Sequence, residues 1–158
     1  LKADFMVSFI PGICVRPDAI LDIRATRLPP ESHDLIICNH VLEHVEEDER
    51  AIAELHRLLK PEGKALITVP VAAGAERTRD WRSLDPDTPS ERILQFGAED
   101  HVRFYGMDIV DRFQAAGFAV DVLRPEDVFS PAEIETWGLA PEEPHFILSK
   151  AAHAPRAA

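Results

Sequence analysis

Short apolar runs separated by polar stretches run along this chain, the pattern of an α/β protein. The clearest run, Leu35–Cys38, is apolar at every position, which predicts a strand covered on both faces of a parallel sheet. A longer run, Asp4–Ile10, is followed by a proline–glycine pair and predicts another strand. Further strands are predicted at Ala19–Leu21, Ala65–Val69, Phe118–Leu123 and His145–Leu148.

Helical spacing is strongest over Glu46–Lys60. Apolar residues recur there at intervals of three and four, and acidic side chains in the first turn and basic ones in the last complement the helix dipole. Pro61 and Gly63 predict the end of this helix. Shorter helices are predicted at Ser90–Phe96, Gly106–Ala116 and Pro131–Trp137.

The connection over residues 72–90 is polar and contains prolines. It is too long for a simple turn, so it predicts a lid or a binding loop. No repeat or second domain is visible. We therefore expect one domain over residues 1–150, with residues 151–158 as a disordered tail.

Composition narrows the class of partner. The chain has 158 residues and a net charge of −11, which disfavours nucleic acid and anionic membrane surfaces as partners. No apolar run is long enough to span a bilayer and no signal peptide is visible, so we expect a cytoplasmic protein. Cys14 and Cys38 do not make a disulfide framework, and Cys38 is expected to be a small buried apolar residue.

Polar and ionisable side chains follow the apolar run Leu35–Cys38: Asn39, His40, Glu43 and His44. Ligands of parallel α/β sheets bind at this carboxyl end of the strands. Residues 40–44 also match H-x-x-E-H, an inverted zinc-peptidase pattern. That chemistry needs both histidines on one continuous helix. Because the first histidine here follows a strand directly, we expect no zinc hydrolase.

Several motifs in the order of the chain resemble those of the class I S-adenosylmethionine-dependent methyltransferases of small-molecule type. They are Asp22, Leu28-Pro29, Asp34, the run HVLEHV at residues 40–45, the run RLLKPEG at 57–63, Val69-Pro70, and the run from Phe96 to Phe118. The resemblance implies an α/β, Rossmann-like, largely parallel sheet flanked by helices, incomplete at its N-terminal side. It also implies methyl transfer from S-adenosyl-L-methionine to an unidentified small-molecule substrate.

The resemblance also assigns roles to individual residues. Asp22 would accept from the adenine amino group with Ile23 framing the ring, and Asn39 and His40 would lie beside the methionine part of the cofactor. His101 is the candidate general base, with Arg103 and Tyr105 expected on the acceptor side. Some ubiquinone-type O-methyltransferases bind a divalent metal through E-x-x-E-H at this position. Residues 40–44 match that motif with histidine in place of the first glutamate, and we expect no metal.

Two parts of the family pattern are missing from the sequence. No glycine-rich cofactor loop occurs, because all seven glycines are isolated, and no acidic residue ends the run Asp4–Ile10. The chain also begins at Leu1, so we expect an N-terminally truncated protein whose incomplete sheet favours a homo-oligomer. The alternative is a non-catalytic binding or interaction module that has lost the cofactor loop.

Overall fold

The computed structural model describes residues 21–72, 74–85 and 87–151. The predicted strand Asp4–Ile10, most of Ala19–Leu21, Cys14 and all but the first residue of the predicted tail lie outside these ranges. The described strands are β1 (His33–Asn39), β2 (Leu59–Thr68), β3 (Arg79–Asp80), β4 (Arg103–Phe104), β5 (Phe118–Leu123) and β6 (His145–Lys150). The α-helices are α1 (Asp48–Leu58), α2 (Pro89–Phe96), α3 (Ile109–Ala115), α4 (Pro125–Val128) and α5 (Pro131–Trp137).

Four strands form the main sheet in the order β1-β2-β6-β5. β1 and β2 pair in parallel, with Ile36 opposite Ala65 and Asn39 opposite Thr68. β6 lies antiparallel to both β2 and β5, so the described part of the sheet is mixed, where the sequence predicted a largely parallel sheet. Together with the flanking helices, this sheet confirms the predicted Rossmann-like α/β architecture.

The connection from α1 into β2 is tighter than the sequence predicted. The helix ends at Leu58, and Leu59 is already extended at φ −70° and ψ 135°. Pro61 disfavours helical geometry at the residue before it, so the helix cannot include Lys60 as predicted. Gly63 allows β2 to lie close to β1, since an added Cβ would lie 3.0 Å from the His33 carbonyl oxygen.

The core lies between the sheet and the helices α1 and α3. Ile52, Leu59, Ile67, Phe113 and Phe146 are fully buried there. Cys38 is buried as predicted, and burial raises the pKa of its thiol to about 12. The other face of β1 differs from the prediction, because Leu35 and Ile37 remain 58% and 60% exposed.

The predicted loop over residues 72–90 contains regular structure. Its strand β3 pairs with β4, and a 3₁₀ turn over Trp81–Ser83 follows directly. Two-residue strands carry no readable periodicity, so the sequence predicted neither β3 nor β4. Within the described residues, no helix is both long enough and apolar enough to cross a membrane.

Candidate functional site

The chain turns sharply after β1, and this turn exposes two of the predicted cofactor residues. Asn39 is the last residue of β1 and is exposed. His40 adopts a positive φ of 51°, a conformation that non-glycine residues rarely adopt, while its N–H donates to the Thr68 carbonyl at 2.9 Å. A 3₁₀ turn over Leu42–His44 then leads to α1. The turn therefore presents polar side chains at the carboxyl end of two parallel strands.

The segment that carries Asp22 and Ile23 contacts the amino-terminal end of α1, into which the turn after β1 also leads. The Asp22 carboxylate accepts from the backbone N–H and guanidinium of Arg24, and these bonds lower its pKa from 3.8 to about 2. Arg24 in turn donates to Glu47, immediately before α1, at 3.0 Å. Ile23 packs against the core cluster. The segment is thus tied to the entrance of α1, where the turn after β1 ends.

Glu54 on α1 fixes the chain that follows Asp22. Its Oε1 accepts from the backbone N–H of Thr26 at 2.9 Å and from the Thr26 hydroxyl at 2.6 Å. Arg57 donates to the same carboxylate and to the Leu28 carbonyl. These bonds, with the Arg57 bond first among the causes, lower the pKa of Glu54 from 4.5 to about 2. The segment that carries Asp22 is therefore held by an ionised side chain.

The turn also buries a carboxylate. Glu43 is fully buried, and neither of its carboxylate oxygens has a hydrogen-bond partner. Its Oε1 lies 3.3 Å from Nδ1 of His40 and 3.9 Å from Nε2 of His44. An unpartnered buried carboxylate is costly and rare in native proteins.

His101, the predicted base, lies close to Glu43 and His44 in the fold, although it comes much later in the sequence. Its ring meets the His44 ring edge-on with centroids 4.7 Å apart, and its Nδ1 lies 2.8 Å from the Phe96 carbonyl. The N–H of Val102 donates to the Glu43 carbonyl at 2.8 Å and holds the two segments together. The structure therefore brings His40 and His101, two of the predicted site residues, around Glu43.

Arg103 and Tyr105, which we expected on the acceptor side, both contact the turn between β1 and α1. Both are buried: the Arg103 guanidinium donates to the carbonyls of Leu42, Val45 and Glu46, and the Tyr105 hydroxyl donates to Asp48 at 2.9 Å. Their hydrogen bonds stabilise the turn between β1 and α1 on its buried side. The sequence missed this because the carbonyl partners lie more than fifty residues away along the chain.

An open cleft of about 450 Å³ lies beside this network. Five acidic and four arginine side chains line it, so its wall is polar and of mixed charge. The lining residues are Glu46, Glu47, Asp48, Glu49, Arg50, Asp80, Arg82, Arg103 and Arg112. Glu47, which lines the cleft, also accepts a hydrogen bond from Arg24 in the segment that carries Asp22.

Part of the chain matches a known protein family, and its fold resembles that of solved structures. Residues 15–67 match the family described as "Methyltransferase domain". This segment contains Asp22, Ile23 and the turn after β1. No curated protein matches the chain by sequence.

Solved structures resemble the chain at low identity. An S-adenosylmethionine-dependent methyltransferase from Mesorhizobium loti is 18% identical with a TM-score of 0.54, over 84% of this chain and 71% of that one. The 1,6-didemethyltoxoflavin-N1-methyltransferase of Burkholderia thailandensis, solved with S-adenosylhomocysteine, is also 18% identical, with a TM-score of 0.52 over 84% of this chain and 49% of that one. At these identities the likeness establishes the fold, and this chain spans about half of the second enzyme.

Proposed function

We propose that this chain, a relative of the class I S-adenosylmethionine-dependent methyltransferases, binds S-adenosyl-L-methionine and methylates a small-molecule acceptor. One observation carries the proposal. Arg24 ties the segment of Asp22–Ile23 to Glu47 just before α1, and the turn that begins at Asn39–His40 leads into α1, all within the segment that matches the methyltransferase-domain family. A nucleoside has polar groups at both ends, so it needs recognition on two sides.

The described residues fit such a ligand. The Asp22 side chain is 39% exposed, and each carboxylate oxygen accepts more than one hydrogen bond, so Oδ2 retains capacity beside Arg24. We assign the adenine amino group to this oxygen and the adenine face to Ile23. Because the pKa of Asp22 is held near 2, the carboxylate stays ionised at every pH at which the protein would work. The bond to adenine would then be charge-assisted.

Asn39 and His40 are proposed to contact the methionine end of the cofactor. Both are exposed, and the His40 backbone is fixed by its bond to Thr68. When bound, S-adenosylmethionine supplies an electrophilic methyl group. The protein's contribution to an in-line transfer is mainly to align the acceptor atom with that methyl group.

His101 is the proposed general base. A carbonyl oxygen can only accept, so the contact with Phe96 places the proton on Nδ1 of His101 and leaves Nε2 as the basic nitrogen. From there it would accept a proton from an oxygen or nitrogen of the acceptor. Replacement of His101 by Gln should lower the rate of methyl transfer and leave cofactor affinity within about twofold.

The experiment that tests the proposal is calorimetric titration with S-adenosylhomocysteine. We expect one site on the wild-type chain, and a loss of affinity of about tenfold or more in Asp22→Asn, because a charged acceptor is lost. Asp34→Asn is the matched control, since Asp34 is an exposed aspartate paired with Lys60 at the amino end of β1. Absence of heat at millimolar ligand would refute cofactor binding and favour the binding-module alternative. Equal effects of the two substitutions would refute the role of Asp22.

A further inference from the structure

We infer that Glu43, His44 and His101 form a binding site for a divalent first-row transition-metal cation. One potential ligand atom from each of these side chains lies within 4.8 Å of the other two. Two imidazole nitrogens and one carboxylate oxygen are a recurrent protein donor set for zinc and iron, with open positions left for solvent or substrate. This inference goes beyond the proposed methyl transfer and does not depend on it.

Both histidines have an outer hydrogen-bond acceptor of the kind that metal-binding histidines have. Nδ1 of His44 lies 3.2 Å from the Asp100 carboxylate, and Nδ1 of His101 lies 2.8 Å from the Phe96 carbonyl. Each acceptor draws a proton onto Nδ1 and leaves the Nε2 lone pair available. Histidine ligands of metals are held by such outer partners, which fix both the tautomer and the ring orientation.

Glu43 supplies the second, independent observation. It has no exposed surface, and both carboxylate oxygens lack a hydrogen bond. A negative charge in that position needs a cation, and its companions in the cluster are the two histidines. A bound divalent cation would satisfy the carboxylate and both free nitrogens together.

His40 is the competing partner of Glu43. Its Nδ1 lies 3.3 Å from Glu43 Oε1, without the geometry of a hydrogen bond, and its Nε2 lies 3.5 Å from Glu143. The His40 side chain is 49% exposed, so water competes for it. A protonated His40 would therefore neutralise Glu43 only in part. In a tetrahedral site with bonds of about 2.1 Å the ligand atoms are roughly 3.4 Å apart, so the three atoms, which now lie within 4.8 Å of one another, would move closer together on binding.

The donor set favours a particular class of ion. Mg²⁺ and Ca²⁺ prefer oxygen ligands, and imidazole suits zinc, iron, cobalt and nickel. We therefore expect Zn²⁺ and Co²⁺ to bind and Mg²⁺ not to compete. In the loaded protein, Nε2 of His101 would be a ligand instead of a base, and the metal would activate a bound oxygen in its place. This revises the sequence-based expectation that the chain holds no metal.

Titration of the full chain with Zn²⁺ or Co²⁺ alone, without cofactor or acceptor, tests the inference. We expect one bound ion per chain, an increase in the melting temperature on loading, and visible d–d absorption bands of tetrahedral or five-coordinate Co²⁺. Glu43→Gln and His101→Ala should each weaken binding by at least about a hundredfold, and Asp100→Asn by about tenfold or more through the orientation of His44. His33→Ala is the matched control, because His33 bonds its neighbour Ser32 at the other end of β1.

Stability of the metal-free variants separates a metal ligand from a purely structural carboxylate. If Glu43 is a ligand without a partner, Glu43→Gln should keep or raise the melting temperature of the metal-free protein and abolish the response to Zn²⁺. The inference would be overturned if the wild type bound no Zn²⁺ at 1 mM, or if binding survived both ligand substitutions. It would also be overturned if Zn²⁺ left the melting temperature of the wild type unchanged and Glu43→Gln lowered that temperature by several degrees. Because no cofactor is present, these outcomes do not depend on whether S-adenosylmethionine binds.

Discussion

The substitution Glu54→Gln tests how the segment that carries Asp22 is held on α1. Glu54 accepts two hydrogen bonds from Thr26 and a bidentate pair from Arg57. Its pKa is about 2 in the folded protein, against 4.5 for an ordinary glutamate. Because the folded pKa is the lower of the two, the stabilisation is complete above the unfolded value and is lost as the pH falls through the folded one.

The magnitude follows from the pKa difference. At 1.36 kcal/mol per pKa unit, the ionised Glu54 would contribute about 3 kcal/mol to the free energy of unfolding at neutral pH. Solvent at this partly exposed site screens the charges, so we expect about 1–2 kcal/mol. Half of that contribution should be gone at roughly pH 3.3, midway between the folded and unfolded values.

Urea unfolding of wild type and Glu54→Gln between pH 2 and 7 measures this contribution directly. The difference in unfolding free energy should be constant above about pH 5.5 and should shrink towards zero near pH 2. The exposed Glu62 offers a control, since Glu62→Gln removes an equal charge from the surface of β2. A difference between wild type and Glu54→Gln that does not change with pH, or that equals the control, would refute the reasoning.

Two further substitutions test the packing around the site. Gly106→Ala should destabilise the fold by about 1–3 kcal/mol in chemical denaturation, because the new Cβ would lie 2.5 Å from the Arg77 backbone; an unchanged midpoint would contradict that contact. Asp48→Ala should cost about 3–5 kcal/mol, since Tyr105 and Arg112 lose their shared buried partner; Glu49→Ala, one residue further along α1 and exposed, should change the midpoint little.

The sequence predicted elements that are long enough to show a hydrophobic pattern, unlike the two-residue strands β3 and β4. The strand Phe118–Leu123 and the helix Pro131–Trp137 have the predicted bounds, and the helix over Glu46–Lys60 is shorter by two residues at each end. Those patterns are local, so a short window of sequence contains them. The pairing of β3 with β4 joins residues more than twenty positions apart, and no local periodicity announces it.

The candidate site was predicted in separate pieces. The polar run after Leu35–Cys38 marked the turn, and the later run around His101 was assigned to the acceptor side. Their contact depends on long-range hydrogen bonds, from Val102 to the Glu43 carbonyl and from Arg103 to the carbonyls of the turn, which no local motif encodes. Arg103 was expected on the acceptor side, and its role in the turn was not foreseen, because the three carbonyls to which its guanidinium donates belong to a distant part of the sequence.

The turn after β1 combines two costly features. His40 adopts a positive φ, which for a residue with a Cβ costs of the order of 1–3 kcal/mol, and the Glu43 carboxylate is buried without a hydrogen bond. Arg103 stabilises this turn, because its guanidinium donates hydrogen bonds to the carbonyls of Leu42 and Glu46. A rigid turn of this kind holds the Glu43 carboxylate between His44 and His101 before any ligand arrives. Such preorganisation is what a binding site requires, because the cost of ordering its ligands is met during folding instead of during binding.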